Sequence, residues 1–241
     1  MTRIATAMVL AAGHGKRMRP LTDNMPKPLV PLGGKPLIDH VLDRLQAAGI
    51  TRAVVNVHHL ADMLEAHLAK RTSPEIVISD ERAQLLETGG GVVHALPLIE
   101  DEAFLIHNSD SVWLEGPGSN LQNLLSAWDP DAMDCLMLLA SSARSLGYEG
   151  AGDFVMQADG RLARRAEGEV APFVFAGVSI AHRRLFDGAE SGCYSLNRLW
   201  DRALASDRLR GVRLDGFWMH VGTPDAIADA ERCLINGDPS A

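Results

Sequence analysis

Three cationic side chains, Lys16, Arg17 and Arg19, follow directly on Gly13-His14-Gly15. Glycine lets a backbone approach an anion closely and present its N–H groups. Lysine and arginine at the same place add the positive charge that suits a polyphosphate. Further along, Lys27 stands between Pro26 and Pro28. The prolines restrict the backbone on both sides, so the lysine points in a defined direction and is a candidate phosphate ligand. Asp110 follows the apolar run Ala103–His107 through Asn108-Ser109. A carboxylate at a strand end suits Mg²⁺, which takes few carboxylates and fills its shell with phosphate oxygens and water. A lone aspartate more commonly caps the segment that follows it.

Two familiar nucleotide loops do not fit. A dinucleotide fingerprint needs a third glycine where Met18 stands, and an acidic ribose reader about 20 residues on. A P-loop needs four residues between its glycines and then Lys-Ser or Lys-Thr. Taken alone, Gly13-His14-Gly15 is as compatible with a plain turn as with a binding loop.

Elements that would position these groups alternate through the first half. Ala7–Ala12 is a short apolar strand that runs into Gly13. Leu37–Ala48 has helical apolar spacing, with Gly49 placed to end it. Arg52–Val57 reads as a strand, Leu60–Lys70 as a helix, Glu75–Ser79 as a strand, Gly91–Leu96 as a short helix and Ala103–His107 as a strand. This order predicts an α/β fold with a doubly wound, mostly parallel sheet. Ligands of such sheets bind beyond the carboxyl ends of the strands, which puts the glycine loop and Asp110 on one rim. In the second half, Asp134–Ala140 and Phe173–Ile180 read as strands, Asp159-Gly160 as a hairpin turn, and Ser195–Ala205 and Pro224–Leu234 as helices. The polar residues Asn236 to Ala241 are expected to fray.

The 241 residues carry a net charge of −8, which argues against a nucleic-acid binder. No run approaches the roughly 20 apolar residues of a membrane helix. Three cysteines, Cys135, Cys193 and Cys233, lie far apart without metal-ligand spacing. Reduced cysteines and the lack of a visible signal segment lead to an expected cytoplasmic location.

The run Leu10-Ala11-Ala12-Gly13-His14-Gly15-Lys16-Arg17-Met18 continues through Pro20-Leu21-Thr22, Pro26-Lys27-Pro28-Leu29 and Gly34-Lys35-Pro36-Leu37-Ile38. This sequence resembles the sugar-1-phosphate nucleotidyltransferase (nucleotide-sugar pyrophosphorylase) family, densely over 8–45 and more loosely to the last helix. The resemblance implies a Rossmann-like nucleotidyltransferase fold with a small β-rich sugar-side extension. It implies one domain over 1–241, with a nucleotide half of about 1–115 and a sugar-side half of about 116–241. The substrates it implies are a nucleoside triphosphate and a sugar 1-phosphate, with pyrophosphate released. Both are strongly anionic, so the chemistry needs positioning and charge neutralisation.

Carried onto this sequence, the resemblance gives Arg17, Lys27 and Asp110 catalytic roles. The nucleotide falls to Leu10, Ala11, Ala12, Gly13, His14, Gly15, Lys16 and Arg17, with Glu87, Thr88, Gly89 and Asn108. The sugar falls to Asp153, Glu169 and Gly177. Mg²⁺, or Mn²⁺ in its place, falls to Asp110 and to His220, which stands where relatives carry a second aspartate. Imidazole suits zinc, manganese or cobalt better than magnesium. His220 would ligate directly, reach the metal through water, or bond a phosphate. Leu86-Glu87-Thr88-Gly89-Gly90-Gly91 resembles the bacterial N-acetylmuramate-1-phosphate uridylyltransferases in particular. UTP and N-acetylmuramic acid 1-phosphate are therefore the expected pair, in peptidoglycan precursor recycling. A mannose- or heptose-1-phosphate guanylyltransferase and a catalytically silent nucleotide-binding regulator are the alternatives. Arg82 or Gln84 would read the base. A lysine common in relatives near 169–172 is missing, and Arg164 or Arg165 would replace it if a replacement is needed. A monomer or small homo-oligomer is expected, with neither nucleic acid nor membrane as partner.

Overall fold

The computed structural model describes residues 4–236; beyond Asn236, the polar tail lies outside them. Strand β1 (Thr6–Leu10) is apolar and almost wholly buried. Two-residue strands β2 (Pro31–Leu32) and β3 (Lys35–Pro36) pair across Gly33-Gly34. Helix α1 (Leu37–Ala47) ends before Gly49, whose φ of +88° is one that glycine adopts freely. Then come β4 (Arg52–Val57), α2 (Ala61–Leu68), β5 (Glu75–Asp80), α3 (Glu87–Ala95), β6 (Ala103–Asn108) and β7 (Ser111–Glu115). The second half adds α4 (Asn120–Ser126), β8 (Cys135–Ser141), β9 (Phe154–Met156), β10 (Leu162–Arg164) and β11 (Phe173–His182). Last are α5 (Asn197–Ala205), β12 (Leu209–Arg213), β13 (Gly216–His220) and α6 (Pro224–Asn236).

Strands β6, β1, β4 and β5 form a run of parallel pairs, in that order, and β12 pairs parallel with β8 elsewhere in the sheet. Both of its faces are covered. On β1, Ala7 and Val9 join the core with Val41, Leu42 and Leu45 of α1 and Leu64 and Leu68 of α2. Met8, between them, joins the opposite core with Val92 of α3 and Leu199 and Trp200 of α5. A strand buried on both faces reads as a continuous apolar run, which is how Ala7–Ala12 reads in the sequence. A third cluster joins Met18, Val30 and Leu32 to Val112, Met219, Ile227 and Ala230, and so anchors the segment after the glycine loop against β7, β13 and α6.

Strand β11 runs antiparallel to β6 and changes the character of the sheet. One of its edges pairs with β8 along most of its length, and β8 pairs in turn with β12. Its other edge holds β6 beside Val178–His182 and β9 beside Phe173. Against β8 the register shifts between Phe175 and Ser179, and Gly177 sits in the shift with φ +82°. The expected turn at Asp159-Gly160 closes the β9–β10 hairpin.

Helix α4 and strand β12 add to the sequence reading, and two further features depart from it. Helix α3 starts at Glu87 rather than Gly91, so the glycines lie inside it. They do so because the segment after Gly192 presses on them. A Cβ on Gly90 would come within 1.8 Å of the Gly192 carbonyl, and Gly89 N–H donates to Tyr194 O. The second departure is the ribbon of β7 and β13, which pairs Ser111 with His220 and was not foreseen.

The β8–β12 side is fastened by Asp134, which accepts from Arg184 Nε and Arg208 Nε. Burial pushes the Asp134 carboxyl up, but the two guanidinium groups outweigh it and hold it below the ordinary carboxylate range. A folded value below the unfolded one stabilises the protein above the unfolded value near 3.9, and that stability is lost as pH falls through the folded value. Asp134→Asn is therefore expected to lower stability by about 1–2 kcal/mol at pH 7. In urea titrations the gap between variant and parent should narrow as pH drops below about 4.

Candidate active site

The carboxyl ends of the parallel strands open onto a cavity of about 490 Å³. Its walls come from three places. The loop after β1 supplies Leu10 to Gly13 and Gly15 to Met18, the end of β6 supplies Asn108, Ser109 and Asp110, and the start of α3 supplies Glu87 and Thr88. Parallel pairing of Leu10 with Asn108 brings the first two together, as the sequence order implies. Lys27 and Pro28 close one side, and Gly222 lies opposite in the turn after β13.

Lys27 Nζ forms an ion pair with Asp110 Oδ2. The lysine sits on a short 3₁₀ turn, Lys27–Leu29, entered from Pro26 in extended backbone. Gly15 is what lets that turn come close. Its φ is +63°, and a Cβ there would meet Lys27 Cβ at 2.9 Å. Thr22 Oγ1 donates to Gly15 O at 2.9 Å and pins the loop from the other side. Burial pushes the Asp110 carboxyl up, but Lys27 and then His220 prevail and hold it below the ordinary range. The side chains of Lys16 and Arg17 make no hydrogen bond or ion pair with a described residue and both residues are exposed, so both cations are available to an incoming anion. Arg19 differs, being paired with Asp23.

His220 is held beside this pair by the β7–β13 ribbon, and its ring lies over Gly222, with Nε2 2.8 Å from where a Cβ would stand. Burial lowers its pKa, Asp110 opposes the shift, and Arg17 and Lys27 reinforce it. At neutral pH the imidazole is therefore neutral and has a free lone pair. Beneath Asn108, His107 is fully buried and stacks on Trp113 at 5.7 Å between centroids. Burial takes its pKa down to about 4, so it adds no charge under the site.

A second cavity, of about 250 Å³, shares Thr88, Asn108 and Ser195 with the first. It follows the bend in β11 and is walled by Phe154, Phe175 and Trp200, with Asp153 and Arg164 among its polar groups. Asp153 Oδ2 accepts from Phe175 N–H at 2.9 Å, which fixes the carboxylate.

Several expected site residues sit elsewhere. The His14 ring packs on His58 and His59, at 5.4 and 5.3 Å between centroids, and is not part of the cavity wall. Gly89 is buried in α3 under Tyr194. Gly177 supports the wall rather than forming it, its Cα lying against Ser111 and Asn108. Glu169 is exposed on a turn outside both cavities. Arg82 is engaged by Asp62, Glu65 and Asp80, and neither it nor Gln84 lines the cavity. Arg165 donates to the carbonyls of Gly152, Ala166 and Glu169, whereas Arg164 reaches the second cavity.

Two residues that position the site escaped the sequence reading. Asn56, 2% exposed near the end of β4, accepts at Oδ1 from Ala11 N–H (2.6 Å) and Ala12 N–H (3.3 Å). Its Nδ2 donates to Oε1 of Glu81, also 2% exposed, at 2.7 Å. Glu81 Oε2 accepts from Leu86 N–H at 3.1 Å, at the entry to α3. This relay ties the glycine loop to the opposite wall. Its signal in the sequence is a lone amide in the apolar run Ala53-Val54-Val55-Asn56-Val57, with an acid just past the next strand. Gln at 81 has one acceptor oxygen where Glu has two, so it can serve Asn56 or Leu86 but not both. Glu81→Gln is expected to lower stability by about 1–3 kcal/mol in chemical denaturation, and to raise the nucleotide KM about tenfold.

Known proteins resemble this chain at the level of sequence and of fold. The family model described as Nucleotidyl transferase matches residues 6–148. The N-acetylmuramate alpha-1-phosphate uridylyltransferase of Caulobacter vibrioides is 50% identical over 95% of this chain and 96% of its own. The protein of the same name from Neisseria meningitidis serogroup B is 34% identical over 93% and 96%. Among solved structures, the inositol-1-phosphate CTP transferase from T. maritima superposes with a TM-score of 0.77. It covers 94% of this chain and 93% of its own at 20% identity, a likeness of fold.

Proposed function

The chain belongs to the nucleotidyl transferase family, and from that premise we propose that it transfers a uridylyl group from UTP to N-acetylmuramic acid 1-phosphate and releases pyrophosphate. One observation carries the choice of substrates, the 50% identity to the Caulobacter vibrioides uridylyltransferase over nearly the full length of both chains. The site supports the class of reaction independently. The glycine-loop backbone, two uncommitted cations and a held lysine–aspartate pair line one cavity. The reading divides the single unit of 1–241 into a nucleotide half, about 1–115, and a sugar-side half, about 116–241. The two cavities and the strand β11 between them support that division. No helix among the described residues is long and apolar enough to cross a membrane. We place the reaction in the cytoplasm, in the recycling of peptidoglycan precursors.

The triphosphate lies along Ala11–Gly15, where the glycines leave the backbone open; nothing lies within 4 Å of a Cβ built on Gly13. Arg17 and Lys16 neutralise the β- and γ-phosphates. Lys27 faces the α-phosphate, where negative charge builds up as the reaction proceeds. A phosphate oxygen of the sugar 1-phosphate attacks the α-phosphorus in line. The new P–O bond forms as the bond to the β-phosphate oxygen breaks, and the electron pair leaves with pyrophosphate. No side chain is modified on the way, and positioning with charge neutralisation provides the acceleration.

A divalent cation fits the donors present. The Asp110 carboxylate and the neutral His220 imidazole stand close enough for each to shift the other's proton affinity. Two protein donors leave most of a metal's shell to phosphate oxygens and water, which is how Mg²⁺ or Mn²⁺ is usually held beside nucleotides. Such an ion would neutralise phosphate charge. Asp110 and His220 would hold it, and His220 would favour Mn²⁺ more than a second aspartate would.

Two measurements test this reading. Pyrophosphate release, measured for four nucleoside triphosphates against several sugar 1-phosphates, should be fastest with UTP and N-acetylmuramic acid 1-phosphate. A clear preference for GTP with mannose or heptose 1-phosphate would overturn the substrate pair, and nucleotide binding without turnover of any pair would overturn the enzyme reading. In a metal titration, His220→Ala should raise the Mg²⁺ concentration for half-maximal turnover several-fold. An unchanged titration would remove His220 from the metal site.

A further inference from the structure

We propose that Arg164 binds the carboxylate of an acidic sugar in the second cavity, and so sets a preference for N-acetylmuramate over its neutral parent N-acetylglucosamine. The inference rests on the substrate reading above. The two sugars differ by one group, the lactyl ether on the 3-oxygen, which ends in a carboxylate. An enzyme that separates them needs a cation on the sugar side, away from those engaged with phosphate.

Arg164 is the cationic side chain among the residues lining that cavity. Lys16, Arg17 and Lys27 line the other cavity, and Arg165 donates to the carbonyls of Gly152, Ala166 and Glu169 and does not line the second one. Arg164 is also held in place. It extends from β10 opposite Phe154, and its guanidinium carbon stands 4.9 Å from the centre of that ring. From α5, Asp201 Oδ1 accepts from Nε and Nη2 at 3.0 and 2.8 Å, and Asn197 Oδ1 accepts from Nη2 at 2.9 Å. Of the five N–H donors of an arginine, these bonds use three. Both hydrogens of Nη1 remain without a partner among the described residues. A guanidinium fixed by one carboxylate and still carrying a free pair of donors is suited to a second carboxylate.

Two nearby acids bear on the fit. Asp201 balances the charge of Arg164 in the empty cavity. Asp153 has one oxygen committed to Phe175 N–H, and repels any carboxylate not drawn to Arg164. Together they favour an acidic group at one place and disfavour it elsewhere in the cavity. The aromatic walls, Phe154, Phe175 and Trp200, offer apolar surface to the sugar ring and do not distinguish the two sugars by charge.

The test is the cycle of two enzymes and two substrates. Parent and Arg164→Gln are each assayed with UTP and either N-acetylmuramic acid 1-phosphate or N-acetylglucosamine 1-phosphate. The loss in kcat/KM for the acidic sugar should exceed that for the neutral one by tenfold or more and appear in KM. Arg164→Lys, which keeps the charge but not the paired donors, should fall between. An equal loss on both sugars would assign Arg164 to the shared phosphate or to the fold and overturn the proposal, as would an unchanged preference. If the parent itself shows no preference for the acidic sugar, the substrate reading fails first, before any variant is compared.

Discussion

A lysine and an aspartate far apart in sequence hold the site together. Lys27 and Asp110 form one ion pair between the segment that follows the glycine loop and the end of β6. Neither charge is fully solvated, and removing either would leave the other uncompensated in a partly buried place, which is more costly than losing an exposed pair. The sequence around them serves this contact. Pro26 and Pro28 set the turn, Gly15 yields the space that a side chain would fill, and Thr22 ties the loop down. Beneath, Met18, Val30 and Leu32 are buried against β7, β13 and α6, so the polar contact stands on an apolar footing.

The electrostatics around the pair are arranged by burial as much as by charge. His107 and His220 lie near the catalytic edge, and burial keeps both neutral at ordinary pH. The positive charge at the cavity therefore comes from Lys16, Arg17 and Lys27. A site for two polyanionic substrates is thus lined by lysine and arginine, with neutral histidines as their neighbours.

What the sequence disclosed follows the range of the interactions. Helix Leu37–Ala47 and strand Arg52–Val57 were legible because their apolar spacing and the closing Gly49 are local. The glycine loop, Lys27 and Asp110 were legible as chemistry, since a phosphate site needs particular residue types. The β7–β13 ribbon was not, because Ser111 meets His220 only after the long stretch between them has folded. For the same reason α3 was placed too late. Its glycines read as a loop until the segment at Gly192–Tyr194 is seen to require them small. His14 and Glu169 were drawn in by their neighbours in the motif, while packing on His58 and His59 holds the first aside and an exposed turn holds the second.

The bend in β11 explains how a single sheet carries two adjoining cavities. A strand paired with β6 throughout would place the sugar-side hairpin in line with the parallel strands. Instead, while the β8 edge shifts register around Gly177, the other edge of β11 pairs first with β9 and then with β6. Asn108 at the end of β6 and Phe154 at the start of β9 then line the same second cavity, and Asn108 lines the first as well. A Cβ on Gly177 would come within 2.8 Å of Ser111 Cβ, so a larger residue would push the β7 end of the nucleotide site away from the bend. The glycine matters here because it sets how closely β11 can approach Ser111 and Asn108.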